Sequence, residues 1–196
     1  MNKLTSICVF CGSSEGNDPI FKDTGYQVGA TLAQQQIQVV YGAAKIGIMG
    51  RVAQGALEHS GKVVGVIPEF LKVKEVVHTQ LTKVITTSTM HQRKMKMHEL
   101  SDGFITLPGG FGTMEELFEI ITWAQLGLHT KPVGILNCNG FYDDLIQFLQ
   151  GMKHKEFLKE ENLEMLLIAN TIDKLLHKMQ TYTSRSVKKW LHIDEA

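Results

Sequence analysis

Short apolar runs rich in β-branched residues alternate with longer stretches of helical periodicity along almost the whole chain, and this alternation leaves few folds open. Strands that each return through a helix lie parallel, in a sheet wrapped by the intervening helices. The strands expected are Ser6–Phe10, Gln38–Tyr41, Val63–Ile67, Lys83–Thr86, Gly103–Leu107, Val133–Asn137 and Leu166–Ala169. Most are apolar at consecutive positions, as strands covered on both faces are. Helices are expected over Ile20–Gln36, Ile48–Ser60, Met90–Ser101, Thr113–Leu126, Tyr142–Lys153 and Ile172–Thr181. In the fourth, Leu117, Ile120, Ile121 and Ala124 recur at three- and four-residue spacing, so one face packs on a core. The predicted fold class is α/β: one domain over residues 1–183, an open, mostly parallel sheet with helices on both faces. Residues 184–196, with Arg185, Lys188 and Lys189 and weak periodicity, read as a C-terminal tail.

A chain of 196 residues fits one domain at about 100–200 residues each. Twenty Lys and Arg balance twenty Asp and Glu, so no global positive field exists to hold a nucleic-acid backbone, and no nucleic-acid partner is expected. No apolar run approaches the roughly 20 residues of a membrane helix, and the first residues read as a strand; a cytoplasmic protein without a membrane partner is expected. Cys8, Cys11 and Cys138 are too few for a disulfide framework. Cys8 and Cys11 spell C-x-x-C, but zinc would need two further ligands at matching spacing, so they read as buried thiols.

In an open α/β sheet, ligands bind beyond the carboxyl ends of the strands. Leu107-Pro108-Gly109-Gly110-Phe111-Gly112-Thr113 lies there, between a strand and a helix expected to start near Thr113. Backbone N–H groups and a helix dipole at such a place favour an anion. Gly109, Gly110 and Gly112 would let the backbone come close and adopt positive φ, and Thr113 adds a hydroxyl. Three glycines in four residues exceed what a tight turn requires, which favours phosphate binding over bare geometry.

Tyr41-Gly42-Ala43-Ala44-Lys45-Ile46-Gly47-Ile48-Met49-Gly50 also follows a strand. It fails G-x-G-x-x-G at Ala44, and it fails the P-loop pattern because Ile48 follows Gly47. A dinucleotide dehydrogenase and a P-loop nucleotidase both lose support. Ser13 and Ser14 follow the first strand, where a hydroxyl would meet a phosphate or a ribose, or cap the next helix.

Met90-His91-Gln92-Arg93-Lys94 opens a helix just beyond a strand edge, and two adjacent cations suit a neighbouring phosphate. Glu115 and Glu116 are expected in the first turn after the glycine loop, where carboxylates would weaken pure phosphate binding. Thr113-x-x-Glu116 matches a capping box, which would explain one structurally. Equally, a sugar phosphate losing its base becomes oxocarbenium-like at its anomeric carbon, and a carboxylate there would stabilise that cation or activate water. Residue types alone leave both explanations standing.

Pro108-Gly109-Gly110-Phe111-Gly112-Thr113-Met114-Glu115-Glu116 fits P-G-G-x-G-T-x-x-E, and with Met90-His91-Gln92-Arg93-Lys94 it resembles the Lonely Guy (LOG) family of cytokinin riboside 5′-monophosphate phosphoribohydrolases. Similarity extends to Cys11-Gly12-Ser13-Ser14, the segment from Glu75 to His78, and Ile121-Thr122-Trp123-Ala124-Gln125-Leu126-Gly127. The resemblance implies a Rossmann-like subunit, usually a homodimer, that hydrolyses the N-glycosidic bond of an adenine-type nucleoside 5′-monophosphate with no metal or other cofactor. Carried onto matching positions, Arg93 and Glu116 would be the catalytic pair. Lys94, Gly109, Gly110, Gly112, Thr113, Glu75 and Thr122 would bind substrate, with Ser14 and Glu115 beside them. The resemblance favours the catalytic explanation for Glu116.

One departure stands out. The family usually has G-G-G-x-x-G-x-M-G after its second strand, whereas Ala43 and Ala44 replace two glycines here. If either position needs positive φ, alanine is strained there. Proteins of this type have also been labelled lysine decarboxylases, but no constellation specific to pyridoxal phosphate is visible. The alternative to the hydrolase is a nucleotide-binding carrier on the same fold, and a purely structural oligomerisation module ranks last.

Overall fold

The computed structural model describes residues 2–72 and 77–184. The strands are β1 (Ser6–Phe10), β2 (Gln38–Tyr41), β3 (Val63–Pro68), β4 (Lys83–Thr87), β5 (Gly103–Thr106), β6 (Val133–Leu136) and β7 (Leu166–Ala169). They form one sheet in the order β4-β3-β2-β1-β5-β6-β7, with every neighbouring pair parallel. The helices are α1 (Pro19–Gln34), α2 (Gly47–Glu58), α3 (Glu69–Lys72), α4 (Met90–Glu99), α5 (Phe111–Gln125), α6 (Asp143–His154), α7 (Glu160–Leu163) and α8 (Ile172–Thr181). The expected Rossmann-like α/β fold is therefore the observed one. The C-terminal tail lies outside the described residues except for Ser184.

Two cores flank the sheet. Val28 and Leu32 of α1, Val52 and Ala56 of α2, and Leu175 and Met179 of α8 pack on one face. Met97 of α4, Leu117, Ile120 and Trp123 of α5, and Leu149 of α6 pack on the other. This two-sided cover explains why β1, β5 and β6 are buried at every residue, whereas edge strand β4 is largely open and carries Lys83 and Thr87.

The chain runs outward from β1 through β4, then returns to lay β5 on the other side of β1. The crevice at the carboxyl ends of β1 and β5 is thus the switch point where such sheets take ligands. The two loops are tied together across it: Leu107 N donates to Phe10 O at 2.9 Å and Gly12 N to Pro108 O at 3.0 Å.

One helix start departs from expectation in a way that matters. α5 begins at Phe111 with Gly110 as an extended N-cap residue that makes no side-chain cap bond. Gly112 and Thr113 are already helical, so Thr113 cannot head a capping box and Glu116 stands in the second turn. The structural explanation for Glu116 falls. Ser13 and Ser14 do not cap α1 either: Asp18 accepts from Ile20 N, while Ser14 Oγ accepts from Gly16 N.

Candidate active site

Thr89 caps α4, its hydroxyl accepting from Gln92 N at 3.1 Å, and this sets the helix phase. Arg93 then falls one turn ahead of core residue Met97 and points the same way, onto the sheet. Its side chain is 6% exposed, and burying a guanidinium demands partners. Nε donates to Val66 O at 3.0 Å and Nη2 to Gly42 O at 3.1 Å, carbonyls near the carboxyl ends of β3 and β2. Nη1 meets only the soft sulfur of Met90, at 3.9 Å. Two nitrogens anchor the group on backbone carbonyls, and the residue lines a cavity.

That cavity, about 280 Å³, opens at the switch point and is lined by Arg93, Glu116, Glu115, Thr113, Ser13 and Gly42, among others. Met49, Met90 and Met97 give it an adaptable apolar wall. Glu116 reaches it because of helix phase: Thr113 and Ile120, one turn before and one turn after, are both buried. A carboxylate thus occupies the inward stripe of α5, where an apolar residue would serve packing better. Part of its surface is open to the cavity, yet protein surrounds the carboxyl on nearly all sides. Burial pushes its pKa up to about 7, with Arg93 pulling the other way.

The glycine loop has a different logic from the one expected. Gly109, Gly110 and Gly112 all have negative φ. Gly109 is required by packing, since a Cβ there would stand 2.1 Å from Thr113 Oγ1. At Gly110 and Gly112 a Cβ would meet nothing within 4 Å. Neither φ nor packing explains them, and Gly within a helix costs about 1 kcal/mol relative to Ala. A bare surface at the N-terminus of a 15-residue helix is what close approach of an anion needs.

The remaining expected residues are not all brought to the cavity. Lys94 bridges α4 to α5, its Nζ donating to Glu119 at 2.9 Å and, more closely, to Glu115. Burial works against its charge, but the two carboxylates outweigh that and hold its pKa above the ordinary lysine value. Thr122 is exposed, donates to Phe118 O, and lines a separate apolar groove beside α5. Ser14 sits next to the cavity-lining Ser13. Glu75 lies outside the described residues.

Ser13, one of the two hydroxyls expected at this edge, lines the cavity, and so do Gly42, Met49, Met90 and Phe111, which were not named as site residues. Position after a strand end flags Gly42 and Ser13; nothing local flags Met49. Among the described residues no group of three or more His, Cys, Asp or Glu side chains is arranged to hold a metal ion. Cys8, Cys11 and Cys138 are free and buried, and burial raises all three thiols above the ordinary cysteine value. No helix among the described residues is long and apolar enough to cross a membrane.

A parallel α/β sheet with a buried cation and a desolvated acid at its switch point is a Rossmann-like fold with a candidate site where such sheets take ligands. The family model described as "Possible lysine decarboxylase" matches residues 49–179. The cytokinin riboside 5′-monophosphate phosphoribohydrolase LOG2 of Arabidopsis thaliana is 41% identical over 184 residues, covering 94% of this chain and 86% of that protein. The probable cytokinin riboside 5′-monophosphate phosphoribohydrolase LOGL1 of Oryza sativa subsp. japonica is 45% identical over 177 residues, 90% of this chain and 79% of that one. The chain belongs to this family, the LOG phosphoribohydrolases. The fold is shared more widely: a molybdenum cofactor binding protein from Rippkaea orientalis superposes with a TM-score of 0.67 at 22% identity, over 89% of this chain and 94% of that one.

Proposed function

We propose that this protein hydrolyses the N-glycosidic bond of a cytokinin riboside 5′-monophosphate, or of AMP, to free base and ribose 5-phosphate. The observation that carries the reading is the pairing of Arg93 and Glu116 in one cavity at the switch point, beside a bare helix N-terminus. The phosphate goes to the N–H groups of Gly110 to Gly112 and the Thr113 hydroxyl, where the dipole of α5 favours negative charge. The anomeric carbon then lies along α5 toward Glu116, five residues and about 7.5 Å of helix rise from Phe111.

As the bond from the anomeric carbon to the base breaks, its electron pair leaves with the base and the ribose becomes cationic. Glu116 as carboxylate stabilises that cation and accepts a proton from the attacking water, which adds to the anomeric carbon. Solvent returns a proton to the departing base. Nη1 of Arg93, which has only the weak Met90 sulfur contact, binds a substrate oxygen while its other nitrogens hold the group in place. Lys94 acts at second hand, fixing Glu115 and Glu119, and Ser14, Glu75 and Thr122 contribute through binding or through a partner subunit.

A homodimer is part of the proposal. Phe118 points outward from α5 and shares a groove with Phe157, which is 85% exposed, and Leu126 is open just past the helix end, where a lone subunit would show a polar face. A pyridoxal phosphate decarboxylase is disfavoured because no described lysine lines the cavity and Lys94 is committed to two carboxylates. Product analysis tests the function: equimolar free base and ribose 5-phosphate are expected from isopentenyladenosine 5′-monophosphate or AMP, whereas saturable binding without release would favour a carrier.

A further inference from the structure

We infer that Phe111 receives the base of the nucleotide, stacking on its face at the mouth of the Arg93–Glu116 cavity; this rests on the phosphoribohydrolase reading. Phe111 is the first residue of α5 and lines the same cavity, yet it is 98% exposed. A phenyl ring gains by leaving water and is among the side chains most often found inside. Here the fold gives it nothing to pack on. Its neighbours Gly110 and Gly112 present no side chain, and the space above them is open, so both ring and flanking backbone are bare.

The lining of the cavity says what comes to the ring. At about 280 Å³ it is at the small end of ligand sites, and its charged groups already have parts of a nucleotide to hold. The charged machinery accounts for one end: the helix terminus takes the phosphate, and Arg93 with Glu116 takes the reacting carbon. The planar base is the part left to project through the mouth, where Phe111 stands. Stacking accepts any flat aromatic base, so Phe111 supplies affinity and orients the scissile bond without choosing among substituents.

Calorimetric binding with two probes tests this, using Glu116→Gln protein so that nucleotide persists. AMP carries the base; ribose 5-phosphate lacks it. Adding Phe111→Ala should weaken AMP by about 5- to 150-fold, from the range for losing one aromatic stacking partner, and leave ribose 5-phosphate within about twofold. Phe111→Tyr should retain AMP affinity and Phe111→Leu should not, because leucine is apolar but not flat. Unchanged AMP affinity overturns the inference, whether or not sedimentation shows a lost dimer that Phe111 had served. Equal weakening of both probes also overturns it, since the residue would then shape only the loop. If the wild-type protein releases no base from either nucleotide, the hydrolase reading fails, while the two-probe comparison still decides whether Phe111 holds a base.

Discussion

Arg93 and Gly42 fit each other as a side chain fits a slot: Nη2 donates to the Gly42 carbonyl at 3.1 Å, and a Cβ on Gly42 would stand 2.1 Å from that same nitrogen. Gly42 has negative φ, so glycine is needed there for space and not for backbone conformation. Gly42→Ala should push the guanidinium out of its slot and lower kcat by about tenfold or more, in line with the loss from misplacing a positioned group. Steady-state kinetics beside a thermal melt check this; a variant with normal kcat would show that Arg93 needs no such seat.

Glu116→Gln should stabilise the fold while removing activity. The folded pKa of about 7 lies above the ordinary value of 4.5, so the acid's contribution to stability is fully present below about pH 4.5 and lost as pH rises through 7. The glutamine variant avoids that loss, and its advantage should grow from nothing near pH 4 to roughly 1–3 kcal/mol at pH 8. Urea melts at the two pH values read the difference directly. For the wild type, kcat/KM should fall as pH drops below about 7, because the carboxylate is the working form.

A second pair of buried titratable groups lies away from the cavity. His98 stacks on Phe104 at 5.9 Å between centroids, meets His129 at 5.2 Å, and has a buried Nε2 without a hydrogen-bond partner. Burial depresses both imidazoles to about 4, with Lys131 adding to the effect. The stability they contribute is present above the unfolded value near 6.5 and lost as pH falls from there toward 4. His98→Phe keeps the ring stack with Phe104 and removes the orphaned nitrogen. It should raise the melting temperature at pH 5 more than at pH 8.

Of the two alanines that replace family glycines, only Ala43 takes positive φ, at 68°. That conformation costs an L-residue about 1–2 kcal/mol. Its methyl is fully buried and covers Gly65, where an added Cβ would come within 2.6 Å of it. Ala43→Gly relieves the strain but removes about 0.8 kcal/mol of burial, so the unfolding free energy from urea melts should change by less than about 1 kcal/mol. Ala43→Val, β-branched at positive φ, should destabilise clearly more than the glycine variant. Ala44 is held differently, its carbonyl accepting from the buried Tyr41 hydroxyl at 3.2 Å.

What could be read from the sequence follows from how local each cause is. Strands covered on both faces are apolar throughout, so the sheet was visible to within one residue at each strand end, with the open edge strand β4 read from its β-branched residues. The start of α5 was misplaced because three glycines look like a turn, although Gly112 adopts helical geometry once Gly110 has capped the helix. Glu116 was legible from the P-G-G-x-G-T-x-x-E pattern, but residue types alone left capping and catalysis standing, and only the helix start at Phe111 removes the cap. The seat of Arg93 was not, because its two carbonyls lie 27 and 51 residues away in the chain. Nor could adjacency alone show that Lys94, next to Arg93, turns to Glu115 and Glu119 instead of the cavity.

The most direct test of the Arg93–Glu116 pair is chromatography of isopentenyladenosine 5′-monophosphate and AMP after incubation with wild-type and Glu116→Gln protein. The account predicts free base and ribose 5-phosphate in equal amounts from the wild type, and none from a variant that is folded and still binds nucleotide. Base release by the variant at the wild-type rate would contradict it.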